Sequence, residues 1–323
     1  MRRRALVSGI GGQDGSYLAK LLLDKEYEVW GTSREAVSAS RKNLAHLGIE
    51  ENVQVVQLSE WSIDRIEDVL AHVRPHEVYH LAGQSSVGIS FVEPLQSWDG
   101  IAVHTVNFLE AIRRVDPTIR FFYAGSSECF GDAGVACREA TAFMPKSPYA
   151  AAKAAATWAV SAYRTSYGIF ACTGILFNHE SPLRPEEFVT QKIITAACQI
   201  AQGLADRLHL GNLAVRRDWG WAEEYVNCMY RMLQVDQPRD FVIGTGRTES
   251  LEYVVNRAFG CFDLNWKEFV TVDNTLFRPA EILCSAADPA MAAKVLGWKA
   301  VSDVDDVIIR LIEAKMRSAP RSP

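Results

Sequence analysis

A tyrosine and a lysine, Tyr149 and Lys153, are the residues whose types and spacing most directly suggest chemistry. Pro148 and the alanines between them favour a helix that presents both side chains on one face, one turn apart. A neighbouring ammonium favours the phenolate, so Lys153 is expected to lower the pKa of Tyr149 from its usual value near ~10. The pair predicts a proton acceptor, although an ordinary amphipathic helix shows the same spacing.

A second polar group, Ser126, Ser127 and Glu128, follows a predicted buried strand at residues 120–125. Ligands bind beyond the carboxyl ends of parallel strands, so these side chains are expected to face the same ligand site as Tyr149. The alternative is a polar strand end that only caps a neighbouring helix.

A glycine-rich turn near the N-terminus is the first element that would position these groups. A predicted strand at 5–8 runs directly into it, and apolar residues then recur at helical spacing. Strand, turn and helix in this order predict a dinucleotide site with phosphates at the helix N-terminus. Its cofactor-binding candidates are Gly9, Gly12, Gln13, Asp14 and Gly15.

The end of the next strand, residues 28–34, faces the adenosine ribose in such folds. A cation there accommodates a 2′-phosphate, whereas an acidic residue binds the 2′-hydroxyl. Arg34 therefore favours NADP, but Glu35 follows at once, and a register shift of one residue would favour NAD.

Strand and helix patterns alternate along the chain, which predicts an α/β fold with a Rossmann-type doubly wound parallel sheet. A smaller α/β substrate domain is predicted to follow it. The further predicted strands are 53–58, 77–81, 120–125, 170–176, 208–213 and 241–244, and the predicted helices are 63–73, 103–115, 149–167, 188–203, 222–234 and 251–259.

Composition narrows the class of protein. The chain has 323 residues, of which 48% are hydrophobic and 23% charged, as in a soluble globular protein with a sizeable core. A net charge of −5 argues against a nucleic-acid partner, despite the cluster Arg2-Arg3-Arg4. The 7 cysteines lack a Cys-x-x-Cys pair, so reduced thiols, a cytoplasmic location and no metal site are expected. Neither a signal peptide nor a membrane span is expected, and only the tail 318–323 is predicted to be disordered.

Three further motifs lie in the second half of the chain: Asn178-His179-Glu180-Ser181-Pro182, Arg217-Asp218-Trp219-Gly220 and Phe277-Arg278-Pro279-Ala280-Glu281. Together with the glycine-rich turn and Tyr149-x-x-x-Lys153, they resemble the extended short-chain dehydrogenase/reductase family. Within it, the chain is similar to the GDP-mannose 4,6-dehydratases from end to end. The glycine turn and the Tyr/Lys pair are shared with many relatives, whereas the other motifs are specific to this branch.

The resemblance implies a redox-neutral lyase that converts GDP-mannose into a GDP-4-keto-6-deoxy sugar. Tyr149 would deprotonate the hexose 4-hydroxyl while hydride leaves C4, and Lys153 would lower the pKa of Tyr149 and hold the cofactor ribose. Glu128 would then remove the C5 proton, Ser126 would assist departure of the 6-hydroxyl, and hydride would return to C6.

The resemblance also implies binding residues and partners. Residues assigned to the cofactor, beyond the glycine turn and Arg34, are Leu81, Ala82, Gln84, Tyr149, Lys153, Leu176, Asn178 and His179. Residues assigned to the GDP-sugar are Ser85, Ser86, Asn178, Val189, Lys192, Arg217, Arg278 and Glu281. A homo-oligomer, dimer or tetramer, is expected. Residues 1–176 would form the nucleotide-binding domain, rejoined by a segment near 214–244, and residues 177–323 the sugar-nucleotide domain.

The chain departs from the family pattern at Gln57, at residues 183–187, at Gln191 and at Trp221. These changes are expected to surround the sugar nucleotide, so a related substrate such as a GDP-heptose stays open. Two other functions stay open as well: a sibling C4 dehydrogenase or epimerase, and a non-catalytic nucleotide-binding subunit. Glu128 favours elimination over the first, and the intact Tyr149 and Lys153 argue against the second.

Overall fold

The computed structural model describes residues 2–34 and 41–318, so Glu35 and the tail beyond residue 318 lie outside it. Its strands are β1 Arg4–Ser8, β2 Glu28–Ser33, β3 Val53–Gln57, β4 Glu77–His80, β5 Arg120–Ser126, β6 Ala171–Leu176, β7 Asn178–Glu180, β8 Leu208–Leu210, β9 Arg216–Arg217, β10 Trp219–Trp221, β11 Phe241–Ile243, β12 Glu249–Ser250, β13 Val270–Val272 and β14 Cys284–Ser285. Its α-helices are Gln13–Asp24, Lys42–His46, Ile63–Val73, Val87–Val92, Pro94–Trp98, His104–Val115, Pro148–Tyr167, Val189–Ala201, Ala222–Met232, Leu251–Gly260, Ala290–Leu296 and Val304–Ser318.

Seven of these strands form one parallel sheet in the order β11-β6-β5-β4-β1-β2-β3. The chain order reverses between β1 and β4, and the crevice at such a reversal is where open α/β sheets bind ligands. The predicted α/β, doubly wound parallel sheet is therefore confirmed.

Strand β11 comes from the second half of the chain and completes the sheet beside β6. The helix before it, Ala222–Met232, packs on the first helix, Gln13–Asp24, in a core that runs from Ala5 to Trp298. On the opposite face, the helices Ile63–Val73, His104–Val115 and Pro148–Tyr167 cover the sheet with a second apolar core. Both faces of the sheet are thus buried, as its apolar strands require.

The remaining strands form small sheets, β7 with β10, β8 with β13, and β12-β9-β14. They surround a third core made with the helices Val189–Ala201, Leu251–Gly260 and Val304–Ser318. The sequence did not predict the last of these helices. It also did not predict Val87–Val92 and Pro94–Trp98, which are too short to show a helical period.

Candidate active site

A cavity of about 420 Å³ collects most of the predicted site residues beyond the ends of β4, β5 and β6. Those that line it are Asp14, Leu81, Gln84, Ser85, Ser86, Ser126, Glu128, Tyr149, Lys153, Leu176, Asn178, His179, Val189, Lys192, Arg217, Arg278 and Glu281. Those that are not part of its lining are Gly9, Gly12, Gln13, Gly15, Arg34 and Ala82.

The helix Pro148–Tyr167 carries the Tyr/Lys pair. The Ser147 hydroxyl caps it by accepting a hydrogen bond from the Ala150 N–H at 3.1 Å, and Pro148 occupies its first turn. Lys153 Nζ donates to the Ala124 carbonyl at 2.7 Å and lies 5.8 Å from the centre of the Tyr149 ring. The end of β5 therefore fixes the amine beside the phenol.

The pKa of Tyr149 departs from the expected direction. Burial disfavours the phenolate and raises this pKa, outweighing the Ser126 hydroxyl, which favours the charged form. Burial also lowers the pKa of Lys153 to about 8. The expectation of a lowered Tyr149 pKa is thus wrong for the protein alone, because desolvation of the buried phenol outweighs Ser126 and Arg184, the groups that favour the phenolate.

Strand β5 places Ser126 and Glu128 at the cavity. The Ser126 hydroxyl accepts a hydrogen bond from the Glu128 N–H at 3.3 Å and so caps the short 3₁₀ turn Ser127–Phe130. Capping is therefore one of its functions, besides its contact with Tyr149. Among the described residues, none donates a hydrogen bond to the half-buried Glu128 carboxylate, which leaves its lone pairs free toward the cavity.

Three cations, Arg217, Arg278 and Lys192, also line the cavity. Arg217 is buried, and its guanidinium donates to the Arg216 carbonyl at 2.9 Å. Burial lowers the pKa of Arg217, while the nearby Glu128 carboxylate raises it and Arg278 lowers it further. With the exposed Lys192, these arginines make a wall suited to a diphosphate, since guanidinium groups bind phosphate oxygens bidentately.

The glycine-rich turn fits a dinucleotide. Gly9 has φ +79°, and a Cβ there would lie 2.9 Å from the backbone nitrogen of Ala82. A Cβ at Gly15 would overlap the carbonyl oxygen of Gly9, so the helix can start this close to β1 only with glycine. Gly12 leaves that helix without a side-chain cap, and its first N–H groups suit the pyrophosphate of a nicotinamide dinucleotide.

A buried ion pair ties this turn to β7. His179 Nε2 lies 2.9 Å from the Asp14 carboxylate and its Nδ1 lies 2.7 Å from the Phe177 carbonyl, so both ring nitrogens donate and the ring is cationic. Burial disfavours this charge, yet Asp14 raises the pKa of His179 overall. Gln13 donates to the His179 carbonyl and accepts from the Ser181 hydroxyl at 2.8 Å. We call Gln13, Asp14, His179 and Ser181 the glycine-turn clamp.

Comparison with known proteins decides which family this arrangement represents. The sequence profile of the family described as GDP-mannose 4,6 dehydratase matches residues 6–311. GDP-mannose 4,6 dehydratase 2 of Arabidopsis thaliana is 41% identical, over 99% of this chain and 88% of its own length. The chain belongs to the GDP-mannose 4,6-dehydratase family. The Vibrio cholerae GDP-mannose 4,6-dehydratase is 38% identical, over 99% of this chain and 96% of its own.

Solved structures show the same fold as this member of the GDP-mannose 4,6-dehydratase family. UDP-glucose 4-epimerase of Thermotoga maritima superposes with a TM-score of 0.86 at 20% identity, covering 98% of this chain and 100% of its own. The dTDP-glucose 4,6-dehydratase of Bacillus anthracis gives a TM-score of 0.85 at 18% identity, covering 98% and 97%.

Most departures from the GDP-mannose 4,6-dehydratase pattern lie away from the cavity. Gln191 donates to the Ser181 carbonyl at 2.9 Å, Trp221 packs in the third core, and Leu183 packs beside the first helix. The expectation that the departures surround the sugar nucleotide is therefore wrong for Gln191 and Trp221, because their side chains stabilise the protein itself. In the stretch 183–187, however, Arg184 and Glu187 line the cavity, in line with the expectation. Gln57 is exposed at the end of β3.

Residues without a predicted role also line the cavity, and Glu180, Arg184 and Thr190 are among them. Glu180 belongs to the Asn-His-Glu-Ser-Pro motif, so the motif could have indicated that Glu180 is a site residue. Arg184 lies in the divergent stretch that follows this motif. Across residues 2–34 and 41–318, no group of three or more His, Cys, Asp or Glu side chains is arranged to hold a metal ion.

Proposed function

We propose that this protein is a GDP-mannose 4,6-dehydratase, a hydro-lyase that converts GDP-mannose into its 4-keto-6-deoxy derivative. The observation that carries the proposal is the Glu128 carboxylate, which accepts no hydrogen bond from the described residues and lines the same cavity as Tyr149 and Lys153. A C4 dehydrogenase or epimerase would need the Tyr/Lys pair but no such base. The cations Arg217 and Arg278, which line the same cavity, suit the GDP diphosphate.

In the proposed reaction, Lys153 stabilises Tyr149 as the phenolate, and this phenolate accepts the proton of the hexose 4-hydroxyl and becomes a phenol. A bound nicotinamide dinucleotide supplies the acceptor for the C4 hydride and its donor to C6. The C4 ketone acidifies the C5 proton, which Glu128 removes. This proton passes through Ser126 to the departing 6-hydroxyl, so that one water leaves. When hydride returns to C6, C5 takes up the proton that Tyr149 received from the 4-hydroxyl, which restores the Tyr149 phenolate.

NADP is the dinucleotide we propose. Arg34 is exposed at the end of β2, where its charge suits a 2′-phosphate. Burial lowers the pKa of the neighbouring His104, and the charge of Arg34 lowers it further. Glu35 lies outside the described residues. The structures of B. anthracis dTDP-glucose 4,6-dehydratase and Thermus thermophilus UDP-glucose 4-epimerase are complexes with NAD, which supports a nicotinamide cofactor of either kind.

A homo-oligomer is also proposed, supported by large apolar side chains exposed on neighbouring helices: Ile89, Val92, Leu95, Trp98 and Trp158. All seven cysteines are free thiols, which supports a cytoplasmic location. None of the helices in the described ranges is long and apolar enough to cross a membrane. We also propose two domains: residues 1–176, rejoined by a segment near 214–244, bind the dinucleotide, and residues 177–323 bind the sugar nucleotide.

Product mass tests the proposed activity. Incubation of the protein with GDP-mannose and NADP, with NAD in parallel, is expected to give a product lighter by one water, and faster with NADP. Because hydride leaves and returns, no net reduction of the dinucleotide should accumulate. An unchanged mass with steady cofactor reduction would indicate a C4 dehydrogenase instead, and an unchanged mass without reduction would indicate an epimerase or a binding subunit.

The pH profile should report the Tyr/Lys pair. Burial lowers the pKa of Lys153 to about 8, and because Tyr149 and Lys153 titrate as a pair, we expect kcat/KM to rise with pH and to level off above about pH 8, where the pair has lost its first proton. The sign follows because the pair must lose one proton before Tyr149 can accept another from the substrate. In Lys153→Met, Tyr149 must ionise alone, so the rise of kcat/KM should move above about pH 10, the usual range of a phenol. If kcat/KM of this variant still levels off near pH 8, another group causes the pH dependence.

A further inference from the structure

Asp218 is a fully buried carboxylate that the proposed reaction does not use. It lies between β9, which carries Arg217, and β10, where the chain passes from one small sheet to another. Burial raises the pKa of Asp218 to about 6, although hydrogen bonds from neighbouring N–H groups favour the charged form. The carboxylate is therefore mainly ionised at neutral pH, and such a buried charge depends on the groups that donate to it.

The donors to this carboxylate belong to a single turn. Asp218 accepts hydrogen bonds from the Thr245 N–H at 2.9 Å and from the Gly246 N–H at 2.8 Å. Gly246 has φ +77°, a left-handed conformation that glycine adopts without strain. A Cβ at Gly244 would overlap a neighbouring side chain and come within 3.2 Å of the Asp218 carboxylate, so only glycine allows this close approach. We call residues 244–247 the Asp218 turn.

The Asp218 turn connects the two parts of the candidate active site. It follows β11, which pairs with β6 at the edge of the central sheet, and β6 ends at Leu176 in the cavity lining. It leads into β12, which pairs antiparallel with β9 so that Glu249 lies opposite Arg217. The hydrogen bonds of Asp218 therefore join the end of β9 directly to the chain that leaves the central sheet.

Arg217 has few contacts that fix its side chain. Within the described ranges, its guanidinium makes one hydrogen bond, to the Arg216 carbonyl at 2.9 Å, and no salt bridge. Its place in the cavity is therefore set mainly by the backbone of β9. This strand has only two residues and lies between β12 and β14, so its position depends on what holds its neighbours.

We propose that Asp218 is a positioning residue, which holds Arg217 at the distance from the central sheet that the GDP diphosphate requires. This inference rests on the proposed function, in which Arg217 binds the diphosphate. Glu128 follows β5 of the central sheet, whereas Arg217 belongs to the small sheet, so a bound GDP-sugar spans both. Fixing β9 relative to β11 places the sugar at the reacting side chains.

The variant Asp218→Asn tests this role, because asparagine keeps the size of the side chain but loses the charge and one acceptor oxygen. We expect the affinity for GDP, measured by calorimetry, to fall about 10-fold, and KM for GDP-mannose to rise by a similar factor. Both kcat and the affinity for NADP should change less than about twofold, because the glycine-turn clamp and the Tyr/Lys pair are held by other contacts. Asp236→Asn, an exposed position outside the cavity lining, is the matched control and should behave as wild type.

A double-mutant cycle separates positioning from a general loss of stability. Arg217→Gln alone should weaken GDP binding, and Asp218→Asn should weaken it little further in that background, because Asp218 acts through Arg217. A purely structural role would give the same loss in both backgrounds and would overturn the proposal. Unchanged GDP affinity in Asp218→Asn alone would overturn it as well.

A second variant covers the case in which Asp218→Asn does not fold. Alanine disfavours φ +77°, so Gly246→Ala strains the Asp218 turn while it keeps the carboxylate and every side chain of the cavity. Its affinity for GDP should fall about threefold or more, and this loss should again largely disappear in Arg217→Gln. Equal losses in the two backgrounds would show that the turn does not act through Arg217.

Failure of the proposed function gives a different pattern. Wild type would then form no dehydrated product, while calorimetry with GDP would still report the coupling between Asp218 and Arg217, and such coupling would support the positioning role even then. If Arg217→Gln itself leaves the affinity for GDP unchanged, Arg217 does not bind the diphosphate, and the positioning role is overturned whether or not product forms.

Discussion

The Glu128→Gln variant is expected to oxidise C4 of GDP-mannose and to form almost no dehydrated product. Glutamine preserves the size of the side chain but cannot accept the C5 proton, and a positioned base contributes about 10²- to 10⁴-fold. The Glu128 carboxylate accepts no hydrogen bond from the described residues, so its replacement leaves no protein donor unpaired. The folded structure should therefore be unchanged.

Single-turnover measurements separate the two steps in this variant. The reduced nicotinamide should appear once, at a rate close to that of wild type, and mass spectrometry should detect no loss of water on the same timescale. Glu252→Gln, an exposed position in the first turn of another helix, is the matched control and should dehydrate normally. Normal dehydration by Glu128→Gln would show that another group removes the C5 proton.

The Tyr149→Phe variant should fail one step earlier, at C4 oxidation. Removing the phenolic oxygen takes away the proton acceptor, and a loss of about 10²- to 10⁴-fold in kcat is expected. The affinity for GDP-mannose should change little, because the binding contacts proposed for the diphosphate and the sugar lie on other residues. Stability should not fall, since phenylalanine fills the same buried space without a hydroxyl to desolvate.

Rapid mixing with GDP-mannose checks this result, because reduced nicotinamide should be absent even in the first turnover. Tyr163→Phe is a close control: it lies on the same helix, and its hydroxyl donates to Glu110 at 3.1 Å, away from the cavity lining. If Tyr149→Phe oxidises C4 at the wild-type rate, a different group accepts the proton, and the proposed mechanism is overturned.

The fold was largely predictable because its elements carry strong local signals. The helix Ile63–Val73 has the predicted bounds, since its apolar residues Ile66, Val69, Leu70 and Val73 recur on one buried face. The long helix Pro148–Tyr167 differs from its predicted start by one residue, at the proline. The short strand β8 lies within the strand predicted at 208–213, whereas β7, β9, β10 and β12 to β14 depend on pairing between distant segments and have little local pattern of their own.

The site residues were predictable only where a sequence motif indicates a specific chemical role. Tyr149, Lys153 and Glu128 meet in one cavity, as their positions at strand and helix ends indicated. Glu180, Arg184 and Thr190 were missed because they lie in and beside a loop without regular helix or strand periodicity, where spacing does not show which side chains face the cavity. The ionisation of Tyr149 was misjudged because desolvation depends on burial, which spacing along the chain does not report.

The placement of β11 has a consequence for biosynthesis. Because β11 covers one edge of β6, and Met229 and Met232 complete the core around the first helix, residues 1–176 alone leave that edge and core exposed. During translation these residues emerge first, with an open strand edge of the kind that promotes association between chains. The nascent protein therefore depends on late-synthesised residues for protection, and a truncation before residue 241 should be a substrate for chaperones rather than a stable domain.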